Sequence, residues 1–308
     1  MKIDQAKIEK FDFGGKEIEI VSAADGGLIN VLDLLRDPKE FYGDPRVDYL
    51  IKFGSVFEGL IGKYQGQYGE WNKDKLVKEG VVVLEHHYEE AKQIVEKVNR
   101  LAQQLIKDEK KYDDQSMAEE YFDLAKAGYE MLKKHEQEFG FEKKGAPVSL
   151  ERAGLVTTRL ALGLDKDAEV KDEVKVVTKR THLKVEPATY LSVTVKWRDK
   201  ENLKKLDKAR IFMSDFVNPA SGASGAALAV ALLMNRVKPI GVDHRSINLT
   251  RQGVMFIKRA FKDLGIEARF YSLGECDELN EAYYLIGNRA VGDAGHVLRH
   301  FLPAWYKA

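Results

Sequence analysis

A carboxylate, then a run of small residues, then an apolar helix is an order that can hold an anionic sugar. Residues 210–225, RIFMSDFVNPASGASG, have that order. Ser221, Gly222, Ala223, Ser224 and Gly225 let the backbone close on an anion, with two hydroxyls as extra donors. The helix expected to follow offers free N–H groups and the positive end of its dipole. Asp215 stands before the run, where it can accept hydrogen bonds from sugar hydroxyls. No lysine follows the glycines, so this is not a P-loop, and the segment lacks the G-x-G-x-x-G of dinucleotide sites. Taken alone, the same run also suits a strand packed tightly on its helix. Two further short segments frame it: Glu151-Arg-Ala-Gly-Leu155 upstream and Gly292-Asp-Ala-Gly295 downstream.

The surrounding pattern supplies the elements that must position these residues. Val174–Thr178, Tyr190–Val195, Ile211–Met213, Lys238–Val242 and Ile266–Ser272 read as strands. Residues 226–236 are apolar almost all round and read as a buried helix, and 252–264 as an amphipathic one. This succession predicts an α/β fold with a doubly wound, mostly parallel sheet, in which ligands bind at the carboxyl ends of the strands. The loop from Asp215 to Gly225 is expected at such an end.

The first half is different. Glu17–Val21 alternates like a strand, 26–35 reads as a short helix, and 64–71 as a loop. Ala91, Ile94, Val95, Val98, Leu101, Ala102 and Leu105 follow helical spacing, as do Tyr121, Phe122, Ala125, Tyr129 and Leu132 after a charged break at 107–114. A helical hairpin over about 86–136 is expected, packed on itself and the core or offered to a partner. The chain divides on this reading into a mixed N-terminal region, 1–146, and an α/β domain, 147–308. His86 and His87 are adjacent and point apart on a helix, so no metal site is assigned.

Composition narrows the function classes. The 308 residues carry 49 Lys+Arg and 49 Asp+Glu, without the basic surplus of a general nucleic-acid binder. The one cysteine, Cys276, excludes a disulfide framework within the chain and points to a reducing, cytoplasmic setting. The N-terminus lacks an apolar signal core, and the apolar run 225–235 is too short to span a bilayer. No membrane or nucleic-acid partner is expected.

From Pro147 onward the chain resembles the uracil phosphoribosyltransferase family, a branch of the type I phosphoribosyltransferase fold. Arg152-Ala-Gly-Leu155 matches the R-A-G-L turn of that family. Arg180, Pro187 and Tyr190 match its spacing of an arginine, a proline and a tyrosine. Asp215–Ser224 resembles its ribose-phosphate loop, Asp277-Glu-Leu-Asn280 its D-x-L-N run, and Gly292-Asp-Ala-Gly295 its G-D-A-G. The resemblance implies transfer of ribose 5-phosphate from phosphoribosyl pyrophosphate to a free pyrimidine base, uracil first, with Mg²⁺ assisting and pyrophosphate released. Arg152 and Arg180 would hold pyrophosphate as planar guanidinium forks, and Asp215 would face the ribose hydroxyls. Residues Ser221, Gly222, Ala223, Ser224 and Gly225 would grip the 5-phosphate. Ile286, Gly287, Gly292, Asp293 and Ala294 would lie against the base. A homodimer or higher homo-oligomer is implied as well.

The sequence also departs from the family. The phosphate loop is one residue longer, with Ser221 for threonine and Ala223 for glycine. The base segment 284–295 lacks the family's proline and carries an insertion, and His296 replaces an acid. Two other readings stay open: a non-catalytic relative that binds a nucleotide for regulation or scaffolding, and an unrelated sugar-phosphate binder on a doubly wound sheet.

Overall fold

The computed structural model describes residues 7–12, 17–22, 49–52, 73–107, 115–141, 145–150, 153–185, 188–198, 200–217, 237–251 and 265–276, with scattered positions at 224–261 and 287–302. The elements run β1 (Lys7–Asp12), β2 (Glu17–Ser22), β3 (Tyr49–Lys52), α1 (Lys73–Lys78), β4 (Val81–Val83), α2 (Glu89–Lys107) and α3 (Gln115–His135). They continue with β5 (Ala146–Leu150), α4 (Ala153–Leu162), β6 (Val174–Val185), β7 (Ala188–Trp197), β8 (Arg210–Val217), β9 (Gly241–Thr250) and β10 (Glu267–Cys276). A two-stranded ladder, β11 (Gly287–Asn288) and β12 (Gly292–Asp293), follows.

One ten-stranded sheet takes the order β1-β2-β3-β7-β6-β5-β8-β9-β10-β4. From β4 to β6 its six strands are parallel. β7, β3, β2 and β1 extend it with antiparallel pairs. The fold is therefore α/β with a doubly wound parallel core, and the sheet draws on both halves of the chain.

Strand alternation sends successive side chains to opposite faces. On one face Phe212, Ile247, Tyr271 and Leu273 join a buried cluster with α2, α3 and α4. On the other, Ile211, Met213 and Val242 share a small apolar pocket with Leu228, Leu232 and Phe261. Ser224, Gly225, Leu228, Leu232, Val254, Ile257 and Phe261 are helical, in agreement with the two helices expected there. Each fully buried Leu, Ile or Phe of this kind contributes about 1.5–3 kcal/mol.

The expected helical hairpin is the pair α2–α3, and the topology says why it exists. It links β4, at one edge, to β5, and must cross β10, β9 and β8 to do so. Parallel strands need such a crossover, and right-handedness fixes the face it takes. Within α3, Gly128 permits the close approach: a Cβ there would stand 2.5 Å from Ile247 Cδ1 and 3.1 Å from Leu273 Cδ2.

Several strands outrun their expected bounds, β6 reaching Val185, β7 spanning Ala188–Trp197 and β10 reaching Cys276. β8 extends past Met213 to Val217, so Asp215 belongs to the strand and not to the loop. The strand expected at Lys238–Val242 begins at Gly241 and runs to Thr250, wholly buried. Asp243, His244, Arg245, Ser246, Asn248 and Thr250 lie inside it. Most of these polar groups are matched. Arg245 donates to Glu136 (2.7 Å) and to the Phe141 carbonyl, and sits over the Phe212 ring at 4.9 Å. Ser246 and Ser272 face each other at 3.2 Å.

Candidate functional site

The parallel core has one place where the chain reverses its direction of winding. From β5 it proceeds through α4 to β6, on one side. From β8 it proceeds through the helical residues at 224–232 to β9, on the other side. Right-handed crossovers in opposite directions must use opposite faces of the sheet. Accordingly α4 packs on the α2–α3 face, whereas Leu228 and Leu232 pack on the other. The winding therefore switches between β5 and β8, and in such sheets the ligand crevice lies outside the carboxyl ends of the strands at that switch.

Asp215 stands at this crevice. The ladder pairs Ser149 with Ser214 and Leu150 with Val176, so Asp215, Leu150 and Val176 occupy one level. Alternation along β8 puts Asp215 on the face of Ile211 and Met213, the face on which Leu228 and Leu232 pack. It is half-buried. Ser224 and Gly225 are helical, and Gly225 is buried, with its would-be Cβ 3.0 Å from Ile257 Cδ1 and 3.5 Å from His244 Cε1. A Cβ here would crowd Ile257 and make only an ordinary contact with His244 of β9.

The floor of the crevice is tied to α3. The Tyr129 hydroxyl donates to the Asp215 carbonyl at 2.7 Å, and Ser214 Oγ donates to the same hydroxyl at 2.8 Å. Tyr129 is wholly buried, and burial raises its phenol far above the usual range, so it stays a donor. Thr157 of α4 lies beside it, its carbonyl 3.2 Å from Ser214 Oγ. Sequence reading placed Tyr129 on the apolar face of a helix and did not foresee this contact, which spans 86 residues and leaves no local signal.

Arg180 lies on β6 opposite Val193 of β7. It is four residues beyond Val176, hence about 13 Å further along the strand at 3.3 Å per residue. The β6–β7 pair thus projects past the crevice, and Arg180 is carried on that projection. Gly287 pairs with Asp293 and Asn288 with Gly292, so three residues expected at the base share one small ladder. β11 lies beside α2. Arg152, Ser221, Gly222, Ala223, Ile286 and Ala294 lie outside the described residues, as do the expected helix 26–35, the loop 64–71 and His296.

A second polar group, not foreseen, lies at the carboxyl ends of β4, β9 and β10. Glu275 Oε1 accepts from Arg251 at 2.5 Å and lies 3.3 Å from His86 Nε2. Glu85 accepts the Glu275 N–H at 2.6 Å. Burial would raise the Glu275 carboxyl, but His86 and Arg251 outweigh it and hold the group below its usual range. Glu85 is pushed up by burial, only partly offset by the Glu275 N–H. His87 points elsewhere, with its ring 5.0 Å from Phe139. Among the described residues no group of three His, Cys, Asp or Glu side chains could hold a metal ion.

No family model matches the chain, and no curated protein matches it. Among solved structures it is similar to the AQ2163 protein from Aquifex aeolicus, at 20% identity over 71% of this chain and 97% of that one, with a TM-score of 0.45. It is similar to a hypothetical protein from Neisseria gonorrhoeae with bound ppGpp, at 13% identity over 51% and 81%, TM-score 0.33. It is also similar to APRTase from Giardia lamblia complexed with 9-deazaadenine, at 12% identity over 51% and 81%, TM-score 0.31. The similarity to a phosphoribosyltransferase and to a ppGpp-binding protein is weak. Among the described residues no helix is long and apolar enough to cross a membrane.

Proposed function

We propose that the crevice between β5 and β8 binds phosphoribosyl pyrophosphate and that the protein transfers its ribose 5-phosphate to a free base, with a pyrimidine, uracil first, as acceptor. One observation carries the reading. The topological reversal of the sheet falls at Asp215, the residue whose segment was read as a ribose and phosphate cradle. Asp215 would accept the ribose hydroxyls. The small-residue run, ending in helical Ser224 and Gly225, would hold the 5-phosphate at a helix start. Arg152 and Arg180 would neutralise the departing pyrophosphate, Arg180 from the β6–β7 projection. Gly287, Gly292 and Asp293, with Ile286 and Ala294, would meet the base.

Catalysis on this reading is positioning plus stabilisation of the leaving group. Mg²⁺ supplies charge neutralisation for pyrophosphate. It takes one or two carboxylates plus phosphate oxygens more often than a full protein cage, and Asp215 is the carboxylate that β8 offers. A homo-oligomer and a cytoplasmic location belong to the same reading.

The test is pyrophosphate release from phosphoribosyl pyrophosphate and Mg²⁺ across a panel of free bases led by uracil. Base-dependent release that Asp215→Ala abolishes supports the transfer and names the acceptor. Binding of phosphoribosyl pyrophosphate without release for any base on the panel supports the second reading, a nucleotide-binding relative. That reading is favoured by the base segment 284–295, which lacks the family's proline. No binding at all removes the phosphoribosyl reading.

A further inference from the structure

We propose that Tyr129 is the positioning residue that fixes Asp215 in the crevice, and that the α2–α3 hairpin is therefore part of the substrate site. The inference rests on the phosphoribosyl reading of that crevice.

β8 needs support at its carboxyl end. Ser214 and Asp215 are at the carboxyl end of a central strand, just before the chain leaves the sheet. A half-buried carboxylate meant to accept two ribose hydroxyls must keep its backbone still. Tyr129 supplies a fixed point. Its hydroxyl donates to the Asp215 carbonyl at 2.7 Å and accepts from Ser214 Oγ at 2.8 Å. The Tyr129 O–H to Asp215 C=O bond has a fixed direction, because that carbonyl can only accept, while the single Ser214 proton is shared between the Tyr129 oxygen and the Thr157 carbonyl. The phenol itself is held by the close approach of α3 at Gly128, where a Cβ would collide with Ile247.

The hairpin reaches the same end of the sheet a second time. Asn248, near the carboxyl end of β9, donates to Asn99 of α2 at 2.9 Å. Gly274 of β10 gives α2 the room to come close, since a Cβ there would meet Val95 at 2.5 Å. α2 then passes beside β11, where Gly287 of the expected base segment lies. One crossover element thus touches both the ribose side and the base side of the crevice.

The test uses the full chain and two ligands that differ in the ribose. Tyr129→Phe keeps the ring and removes only the hydroxyl, so the core packing is retained. Affinities for phosphoribosyl pyrophosphate and for inorganic pyrophosphate, each with Mg²⁺, are measured by calorimetry for wild type, Tyr129→Phe, Asp215→Ala and the double variant. The expected result is a loss of about five- to tenfold for phosphoribosyl pyrophosphate in Tyr129→Phe, the worth of about one hydrogen bond, with pyrophosphate affinity unchanged. The double variant should bind no worse than Asp215→Ala, because Tyr129 acts through that residue. Ser214→Ala should follow Tyr129→Phe in direction with a smaller loss. Tyr129→Phe affinity within twofold of wild type, beside an impaired Asp215→Ala, overturns the positioning role while leaving the phosphoribosyl reading in place. Equal losses for both ligands overturn it too, since they mark a general effect on the fold. Wild type that binds neither ligand removes the reading beneath the inference, and the inference with it.

Discussion

The two ends of the parallel sheet are both rich in charge, yet they are built differently. At the amino end Asp243 is saturated: Oδ1 accepts from Arg210 and from Arg269, each at 2.8 Å, and Oδ2 accepts from Arg269 at 2.6 Å. Arg210 also pairs with Glu267, and Arg269 lies over the Phe141 ring at 4.5 Å. Every group is matched within the set. At the carboxyl end, Glu275 Oε2 and Asn248 Oδ1 are buried and have no hydrogen-bond partner among the described residues. Asp215 there is half-buried at the strand's end. The amino end fastens β8, β9 and β10 together; the carboxyl end carries the half-buried Asp215.

The largest expected effect breaks the amino end. Asp243→Ala leaves two partly buried guanidinium groups without their shared carboxylate. A loss of about 3 kcal/mol is expected from removing one partner of a buried pair, read as a lower denaturant midpoint. Affinity for phosphoribosyl pyrophosphate in the surviving folded protein should stay as in wild type. A variant that binds less tightly without losing stability would contradict the division of labour between the two ends.

The next effect concerns α3 under the crevice. Gly128→Ala gains helix propensity, but its methyl group would meet Ile247 and Leu273. Overpacking of this kind costs about 1–3 kcal/mol, against about 1 kcal/mol of propensity gained. The expected outcome is a net loss of stability together with weaker ligand binding, because Tyr129 moves with the helix. Unchanged stability and affinity would show that α3 can shift without disturbing β8.

The smallest effect lies between the two ends. His244 is wholly buried and stacked on Phe270 at 4.8 Å, with neither ring nitrogen hydrogen-bonded among the described residues. Burial lowers its pKa from 6.5 to about 3, with Asp243 opposing. The folded state thus rejects a proton that the unfolded chain accepts below 6.5. Stability from this group is fully present above pH 6.5 and is lost as the pH falls toward about 3. At pH 5.5 the loss is about 1.4 kcal/mol relative to pH 7.5. Denaturant titrations at those two pH values should show this acid loss in wild type and a loss smaller by that amount in His244→Phe. Equal acid loss in both would refute the assignment to His244.

The contrast between β8 and β9 also shows what the sequence could reveal. β8 carries the apolar run Ile211-Phe-Met213 and is followed by a recognisable small-residue segment, so its existence was legible, though not its reach through Asp215 to Val217. β9 is more deeply buried, but it reads Asp243-His-Arg-Ser-Ile-Asn248, which no apolar pattern marks as a central strand. Its polar groups are tolerated because distant residues match them: Arg210 and Arg269 for Asp243, Glu136 for Arg245, Asn99 for Asn248. Those partners lie 26 to 149 residues away, beyond the reach of local periodicity. The same reason hid Tyr129 from the candidate site. The helical hairpin was legible as two amphipathic helices, but its duty as the β4-to-β5 crossover becomes visible only with the strand order.

The proposed phosphoribosyl site is the β5–β8 crevice, with Asp215 at its edge. The most direct measurement is calorimetric binding of phosphoribosyl pyrophosphate with Mg²⁺ to wild type and to Asp215→Ala, with a denaturant titration of each. The account predicts saturable binding by wild type and at least a tenfold loss in Asp215→Ala at unchanged stability, in keeping with removal of a charged hydrogen-bonding group. Wild type that does not bind, or Asp215→Ala that binds as wild type does, would contradict it.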